Sequence, residues 1–375
     1  MTKTERLLRE LIALPSVNPA FLPARDGRAG EQRVADFLAV TAARAGLDVE
    51  FQVVARGRAN VLARLSPRGR ARQRILLAPH LDTVGAADEQ FRPVTRQGRL
   101  FGRGACDTKG SAAAMLMALC ELAQSRQRPA ATEIVFAGLV DEEHHQAGAR
   151  ALVAGGGRAD LALVGEPTGL RAATAHKGTL WLRLETRGKS AHGARPELGR
   201  NAVHVMARVV ELLQTTYAAQ LRRRRHPLLG CATVNVGAIQ GGQQPNIVPD
   251  HCHILVDRRT LPGETDSGVR RELAGLLRRK NLPAALGPDP QPPCPPLATD
   301  PAHPLAARFL RSLGQRRPVG VPYFCDAAVL ARGGIPSVVF GPGNIAQAHT
   351  AREWISLASL ERGRELLLRF LRSLP

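Results

Sequence analysis

Strand-like and helix-like segments alternate along the first part of the chain. Residues 4–14 and 30–45 repeat apolar side chains at the spacing of one helix face, and Gly46 ends the second pattern. Apolar runs typical of strands then alternate with further helical patterns, with strands at 49–54, 60–65, 75–78, 133–138 and 160–164 and helices at 111–123 and 147–154. Because strands separated by helices pack as a sheet covered on both faces, this order predicts an α/β domain with a mixed sheet flanked by helices.

The order of elements changes after residue 178. Strand, helix, strand, strand, helix and strand patterns follow at 179–186, 201–213, 232–239, 251–256, 267–279 and 284–287. This is the split-βαβ order of ferredoxin-like α+β domains. A proline-rich segment, 288–296, then leads to patterns that resume the first domain, a helix at 302–312, a strand at 337–340 and a helix at 357–374. A chain of 375 residues can form two domains, and we predict that 178–288 is inserted as a lid between 1–177 and 289–375.

A histidine and an aspartate follow the predicted strand at 75–78. His80 and Asp82 are two residues apart, so in an extended chain they emerge on the same face. A metal-binding imidazole needs an acceptor that holds its orientation, which makes His80 a candidate ligand and Asp82 its support. Asp107 lies in a glycine-flanked turn before the next helix and can project into the same region. A His-x-Asp pair alone is more often an ordinary strand end.

Other potential ligands also follow predicted strands. Glu142 and Glu143 follow one, Glu166 another, and His349 comes after the strand near the C-terminus. Adjacent glutamates point in different directions, so one could bind metal while the other handles protons. Each residue alone is typical of ordinary polar surface, but ligands at successive strand ends converge on one crevice of an open α/β sheet.

Nine sequence blocks connect the chain to a known family. They occur in the order PHLDT, GRGACDTKGS, DEE, GEPT, AHKG, GKSAHGARPELGRNA, GGQQPNIVPD, DRRTLPGE and GPGNIAQAH. Over essentially its whole length the chain resembles the di-zinc amidohydrolase family that contains acetylornithine deacetylase, succinyl-diaminopimelate desuccinylase, aminoacylase and glutamate carboxypeptidase. The blocks depart from the family at Arg352, where relatives often have aspartate, but Glu353 is in place.

The resemblance implies a role for each residue of the constellation. Two Zn²⁺ ions, for which Co²⁺ could substitute, would be bound by His80 and Glu166 on one ion, Glu143 and His349 on the other, and Asp107 bridging both. Asp82 would orient His80, and Glu142 would be the general base. The peptide bond after Asp107 is cis in the family. Residues 1–177 and 289–375 would then form the catalytic domain.

The resemblance also assigns functions to the inserted domain. His192 would reach the substrate carbonyl from a partner subunit, so a homodimer is expected through this lid and dimerisation domain. Asn246 and Arg259 match positions that hold the substrate carboxylate. Arg258 is adjacent, but the family pattern Asp-x-Arg selects Arg259.

Composition bears on the alternative from a different functional class. The net charge is +20, which is compatible with a basic nucleic-acid-binding protein on a metallohydrolase fold. However, the 52 basic residues are 47 Arg and 5 Lys scattered over every segment, with one cluster at 222–225, and only two Trp and two Tyr could stack on bases. This bias resembles codon composition more than a binding surface.

The six cysteines lack paired spacing, and neither an export signal nor an apolar run of membrane length is present, so a cytoplasmic enzyme without membrane contact is expected.

These features lead to one expected reaction with several alternatives. We expect the enzyme to hydrolyse the amide bond of a small N-acyl amino acid. The expected substrate is N2-acetylornithine, which would give ornithine and acetate, a reaction of amino-acid and arginine biosynthesis. Relatives acting on free-carboxylate amino acids have glutamate at the position of Glu166, and the block containing His349 looks most like that of acetylornithine deacetylase. Succinyl-diaminopimelate desuccinylation, general aminoacylase action and carboxypeptidase or dipeptidase activity are the alternatives.

Overall fold

The computed structural model describes all 375 residues. Its α-helices are α1 Lys3–Ala13, α2 Gln32–Arg44, α3 Lys109–Ala123, α4 Ala147–Ala154, α5 Ala202–Leu212, α6 Ala218–Arg222, α7 Asp266–Arg279, α8 Pro304–Ser312, α9 Asp326–Arg332 and α10 Leu357–Arg372. Its strands are β1 Asp48–Ala55, β2 Arg58–Leu65, β3 Gln73–Pro79, β4 Val94–Arg96, β5 Arg99–Phe101, β6 Thr132–Gly138, β7 Leu161–Gly165, β8 Ala173–His176, β9 Gly178–Arg187, β10 Arg225–His226, β11 Gly230–Cys231, β12 Thr233–Gly241, β13 His251–Thr260, β14 Ala284–Leu286, β15 Leu297–Ala298, β16 Val319–Val321, β17 Ser337–Val339 and β18 Trp354–Ser356. None of the helices combines the length and the apolarity that a membrane span needs.

The chain divides into two compact units. Unit 1 contains Met1–Thr174, Thr299–Gly320 and Cys325–Pro375, and unit 2 contains Ala175–Ala298 and Val321–Phe324. The limits predicted from the sequence, 1–177, 178–288 and 289–375, place the second junction before β15. In the structure β15 pairs with the part of β8 that belongs to unit 2. Backbone pairing of this short strand therefore extends unit 2 beyond the proline-rich segment.

Unit 1 is built on a mixed sheet with the strand order β1-β2-β6-β3-β7-β17-β8. The adjacent central strands β6, β3, β7 and β17 are parallel, whereas β1, β2 and β8 pair antiparallel at the two sides. Every residue of β6 and β7 is buried, as expected for parallel strands covered on both faces. Helix α3 packs against α1 and α10, and α4 packs against α9. The predicted α/β class with flanking helices is confirmed.

Unit 2 has a four-stranded antiparallel sheet with the order β12-β13-β9-β14. Helices α5 and α7 fall in the chain order β9-α5-β12-β13-α7-β14, which is the predicted split-βαβ arrangement. Residues of β13 alternate between buried and half-buried, and Cys252, Ile254 and Val256 lie in the core of the unit. The alternation follows from covering only one face of the sheet with helices.

Several short elements have no counterpart in the sequence-based prediction. Strands β4, β5 and β18 form a separate three-stranded sheet, and α9 spans only Asp326–Arg332. Elements of three to seven residues are too short to show periodicity. Strand β3 ends at Pro79, and His80 continues it only as a single bridge to Leu139. None of the six cysteines forms a disulfide.

Candidate active site

His80 directly follows β3 and contacts a neighbouring group at each ring nitrogen. Its Nδ1 lies 3.0 Å from the carbonyl oxygen of Asp82 and 3.4 Å from Oδ1 of the same residue. Its Nε2 lies 3.1 Å from Oδ1 of Asp107 and 3.8 Å from Oε1 of Glu166. Because a carbonyl oxygen can only accept, the neutral ring carries its proton on Nδ1 and directs the Nε2 lone pair toward the two carboxylates. An imidazole that binds metal is supported in this way.

Asp107 lies between two histidines. Its Oδ1 faces His80 at 3.1 Å, and its Oδ2 lies 3.3 Å from Nε2 of His349. The same Nε2 of His349 is 3.1 Å from Oε2 of Glu143. The peptide bond from Asp107 to Thr108 is cis, as the family resemblance implied. A carboxylate whose two oxygens face two different imidazoles could bridge a pair of metal ions.

Asp82 connects His80 to the loop that carries the two adjacent glutamates. Its Oδ1 accepts the N–H of Glu142 and its Oδ2 accepts the N–H of Glu143, both at 3.0 Å. The side-chain amide of Asn18 donates to Oδ2 of Asp82 at 2.8 Å and to Asp141 at 3.0 Å. Nothing in the sequence distinguishes Asn18 as a site residue, because an asparagine in a proline-flanked loop is typical of a turn. One buried carboxylate therefore positions both His80 and the glutamate loop.

The carboxylates of this site are crowded. Burial raises the pKa of Glu142 and that of Glu166 well above the ordinary value for glutamate, and the charge of Asp107 raises that of Glu166 further. Hydrogen bonds to Asp107 and Glu143 raise the pKa of His349 to about 10. Closely spaced negative charges in a buried site are relieved either by protons or by a bound cation.

The donor set fits metal ions. Two groups of three residues place their ligand atoms within 4.8 Å of one another, one formed by His80, Asp107 and Glu143 and the other by His80, Glu142 and Glu166. Imidazole nitrogens and carboxylate oxygens are ligands that suit zinc and cobalt. The contacts of His349 with Asp107 and Glu143 could extend the first group. Both groups contain His80, so the cluster of potential ligands is centred on this residue.

Glu353 holds the turn that carries Asp107. It is 1% exposed, and its Oε1 accepts the N–H groups of Cys106 and Asp107 at 2.8 and 2.9 Å. Its Oε2 accepts the N–H of Gly104 at 3.0 Å and Nη1 of the buried Arg103 at 2.7 Å. Glu353 matches the family pattern in the sequence, but that pattern does not predict its function. Its partners are about 250 residues away along the chain, so no local pattern could have revealed them.

Asp326 is a second buried carboxylate that sequence analysis missed. It begins α9, is 1% exposed, and neither of its oxygens has a hydrogen-bond partner. Burial raises the pKa of Asp326 to about 7, against the opposing charge of His80. Its charge in turn contributes to the raised pKa values of Glu142 and Glu166. In the sequence an aspartate in the first turn of a helix is typical of a simple interaction with the helix dipole.

Within unit 2, His192 and Asn246 lie side by side on exposed loops. The N–H of Gly193 donates to the carbonyl oxygen of Asn246 at 2.7 Å, and His192 forms a bridge with Ile247. The N–H of Ala194 donates to Nδ1 of His192 at 3.1 Å. The neutral ring of His192 must then carry its proton on Nε2, which leaves that nitrogen able to donate.

The two adjacent arginines of β13 have different surroundings. Arg258 continues the buried face of the strand, is 0% exposed, and donates to Tyr217 and Glu264. Arg259 points to the other face, with 28% of its side chain exposed, and donates to Asp257 at 2.9 Å. Only Arg259 therefore has a guanidinium that a ligand in solution can reach.

Comparison with known proteins agrees with this fold and donor set. A family model described as peptidase family M20/M25/M40 matches residues 76–373. An acetylornithine deacetylase from Proteus mirabilis is 32% identical over 96% of this chain and 94% of its own length. Another from Myxococcus xanthus is 33% identical over 83% and 82%.

Solved structures show the same fold. A tripeptidase from Staphylococcus aureus superposes with a TM-score of 0.80 at 20% identity, covering 99% of this chain and 97% of that one. An M20 family metallo-carboxypeptidase from Sulfolobus solfataricus superposes with a TM-score of 0.78 at 18% identity, covering 99% of both chains. The family match over most of the sequence and the clustered ligands lead to one conclusion: the chain belongs to peptidase family M20/M25/M40 and is a metal-dependent hydrolase.

Proposed function

We propose that this enzyme hydrolyses the amide bond of an N-acyl amino acid with the help of two zinc ions, and that its substrate is N2-acetylornithine. The observation that carries the two-ion part is the position of Asp107, whose oxygens lie 3.1 and 3.3 Å from the Nε2 atoms of His80 and His349. In this proposal His80 and Glu166 bind one ion, Glu143 and His349 bind the other, and Asp107 is shared. When bound, the ions would polarise the amide carbonyl and lower the pKa of the attacking water.

Glu142 is the proton carrier in this mechanism. It is buried, and Asp82 accepts the N–H of its backbone, which fixes the main chain of Glu142 beside His80. Burial raises the pKa of Glu142 above the ordinary value for glutamate, and a less acidic carboxyl group is a stronger base toward the attacking water. Glu142 would accept the proton of the attacking water and deliver it to the nitrogen of the departing amino acid.

Lid residues would bind the rest of the substrate. Nε2 of His192 can donate to the carbonyl oxygen as negative charge develops there. Arg259 would pair with the α-carboxylate, for which a planar guanidinium is well shaped, and Asn246 would add an amide donor. These assignments follow the resemblance residue by residue.

The choice of N2-acetylornithine has separate support. The curated relatives that cover most of this chain at 31–33% identity are named acetylornithine deacetylase. Glu166 and the GPGNIAQAH block point the same way. No acidic residue can be assigned to the cationic side chain of ornithine, so desuccinylase, general aminoacylase and peptidase activities are the alternatives to test.

A side-by-side substrate comparison tests the proposal. Zinc-loaded enzyme would be assayed for kcat/KM on N2-acetylornithine, N-acetylmethionine, N-succinyl-diaminopimelate and an unblocked dipeptide. We expect the highest value for N2-acetylornithine. A preference for the succinyl compound would eliminate the ornithine assignment, and equal values for the two acetyl substrates would identify a general aminoacylase.

The carboxylate contact can be tested separately. Arg259→Ala should reduce kcat/KM by a factor of about 10 to 150, because a hydrogen bond to a charged group is worth about 1.5–3 kcal/mol. The loss should disappear on a substrate whose α-carboxylate is amidated. Arg187→Ala, which removes an arginine with 78% of its side chain exposed, is the matched control and should leave both substrates unaffected. An equal loss on the amidated substrate would contradict the assignment.

We also propose a cytoplasmic homodimer in which His192 acts on the partner's active site. Six cysteines that form no disulfide are consistent with a reducing compartment. Mixing inactive His192→Ala with inactive Glu142→Gln protein should restore part of the activity, because each hybrid dimer then contains one intact combination. Subunit exchange without any recovery would show that His192 does not act in trans.

A further inference from the structure

A second group of potential metal ligands lies on the loop next to the glutamates. Asp141, His144 and His145 place one ligand atom each within 4.8 Å of one another. Residues 142–145 form a turn, and the N–H of Gln146 closes it by donating to the carbonyl oxygen of Asp141 at 2.6 Å. The backbone thus brings the two imidazoles beside the aspartate that precedes them.

The two imidazoles are available for binding. Their ring centroids are 3.6 Å apart with an interplanar angle of 32°. The ring of His144 also makes an edge-to-face contact with Phe21, with centroids 6.1 Å apart. Both residues are half-buried, and no other group of the chain hydrogen-bonds to their ring nitrogens. By contrast, Nδ1 of His80 and Nδ1 of His192 are both used within the protein. His144 and His145 therefore retain free nitrogen lone pairs when neutral.

Asp141 supplies negative charge that its neighbours leave partly uncompensated. It is 4% exposed, and its Oδ1 accepts from Asn18 at 3.0 Å and from Arg58 at 2.9 Å. Arg58 also pairs with the buried Glu31 through two further nitrogens, so one guanidinium serves two carboxylates. Oδ2 of Asp141 has only a long contact, 3.4 Å, with the N–H of Ala147. The trio of Arg58, Glu31 and Asp141 carries a net charge of −1 when both acids are ionised.

We propose that Asp141, His144 and His145 form a binding site for one divalent transition-metal ion, distinct from the ligands assigned to the catalytic reaction. Two imidazoles and a carboxylate suit Zn²⁺, Co²⁺, Ni²⁺ or Cu²⁺, whereas Mg²⁺ and Ca²⁺ prefer oxygen ligands only. Ligand atoms on a tetrahedral ion with bonds of about 2.0–2.1 Å lie about 3.3 Å apart. The three ligand atoms lie within 4.8 Å of one another, so binding one ion requires rotations of the two half-buried imidazoles that bring these atoms closer by at most about 1.5 Å.

The location of this site has a structural consequence. Glu142 and Glu143 lie within the turn whose ends the ion would join, and Asp82 already accepts from both of their N–H groups. An ion held by Asp141 and His144 would restrain the same turn from its other side. Occupation of the site should therefore reduce the motion of the glutamate loop.

Metal stoichiometry tests the proposal directly. Wild-type protein, the double variant His144→Ala/His145→Ala and the control His251→Ala/His253→Ala would be dialysed against the same micromolar Co²⁺ and analysed for bound metal. The control removes another pair of neighbouring histidines, whose ring centroids are 5.8 Å apart, from unit 2. We expect wild type and control to retain one more ion per chain than the double variant. Equal stoichiometry in all three proteins would overturn the proposal.

Spectroscopy gives a readout that does not depend on activity or on the number of catalytic ions. Cu²⁺ binds nitrogen and oxygen ligands more tightly than Zn²⁺. One equivalent of Cu²⁺ added to wild-type protein that carries two zinc ions per chain should therefore occupy this site and produce an electron paramagnetic resonance signal with coupling to two imidazole nitrogens. The single substitution His145→Gln preserves a polar side chain on the same turn and should reduce this coupling to one nitrogen. The same spectrum in wild type and in His145→Gln would place the copper elsewhere and refute the site.

Discussion

Glu353 offers a test of how the fold positions Asp107. Its carboxylate accepts four hydrogen bonds from residues 103–107, and one of the donors is the buried guanidinium of Arg103, whose side chain is 4% exposed. Glu353→Gln retains the shape but replaces one oxygen with an N–H2 group and removes the charge. Whichever oxygen is replaced, two donors lose their acceptor and Arg103 loses its countercharge.

The expected loss of stability is large. Removing one partner of a buried ion pair costs about 3–5 kcal/mol, because the remaining charge stays buried without compensation. Glu121→Gln is the matched control: Glu121 pairs with Arg364 and Arg372 at the surface, where its side chain is 44% exposed. Exposed pairs contribute about 0–1 kcal/mol. Glu353→Gln should thus reduce the free energy of unfolding severalfold more than Glu121→Gln.

Tryptophan fluorescence can confine the measurement to unit 1. The chain has two tryptophans, Trp354 in unit 1 and Trp181 in unit 2. In a Trp181→Phe background, urea unfolding of metal-stripped protein followed at Trp354 would report the free energy of unfolding of unit 1 alone. The variant should also retain less metal. Whichever oxygen is replaced, at least one backbone N–H of the turn that carries Asp107 loses its acceptor. A destabilisation below about 1 kcal/mol, equal to that of the Glu121→Gln control, would refute the reasoning.

Three further predictions concern the site itself. Glu142→Gln should bind metal normally while turnover falls by about 10²-fold or more, as elemental analysis and steady-state kinetics can show; loss of metal instead would mean that Glu142 and Glu143 have exchanged roles. The folded pKa of Asp326, about 7, lies above the ordinary 3.8, so the stability of the metal-free protein should fall as pH rises between these values. Asparagine does not titrate, so the free energy of unfolding of Asp326→Asn should not fall in this way. Relative to wild type it should increase from pH 4 to pH 8 by as much as about 4 kcal/mol. A difference that does not depend on pH would contradict the burial argument. The pKa of His349 is about 10 without metal, and a histidine ligand must be neutral, so zinc binding at pH 7 should release protons and become tighter as pH rises toward 10. The enthalpy of zinc binding measured by calorimetry should therefore differ between buffers of different protonation enthalpy.

Long, regular elements were predictable from local pattern. Strands β3, β6 and β7 contain continuous apolar runs that indicate buried strands, and the one-sided helices α1 and α10 are long enough to show the helical period. The order of these elements also predicted the mixed sheet and the split-βαβ insertion. Strands of three residues such as β5 and β18 contain less than two periods, so their pairing could not be read from the chain.

The sequence by itself determined which side chains are available to the site and where along the chain they follow strands. His80, Glu143 and Glu166 could be named as potential ligands because polar residues at the ends of buried strands are informative without knowledge of their neighbours. Asp107 and His349 were candidates on the same grounds, and the family resemblance implied the expected role of each of the five residues. Tertiary structure alone decided the supporting contacts: Asn18 with Asp82, Glu353 with residues 103–107, and the unpaired burial of Asp326. These contacts join residues that are 64 to about 250 positions apart, and a hydrogen bond or a buried charge depends on distance in space, which no local pattern in the chain encodes.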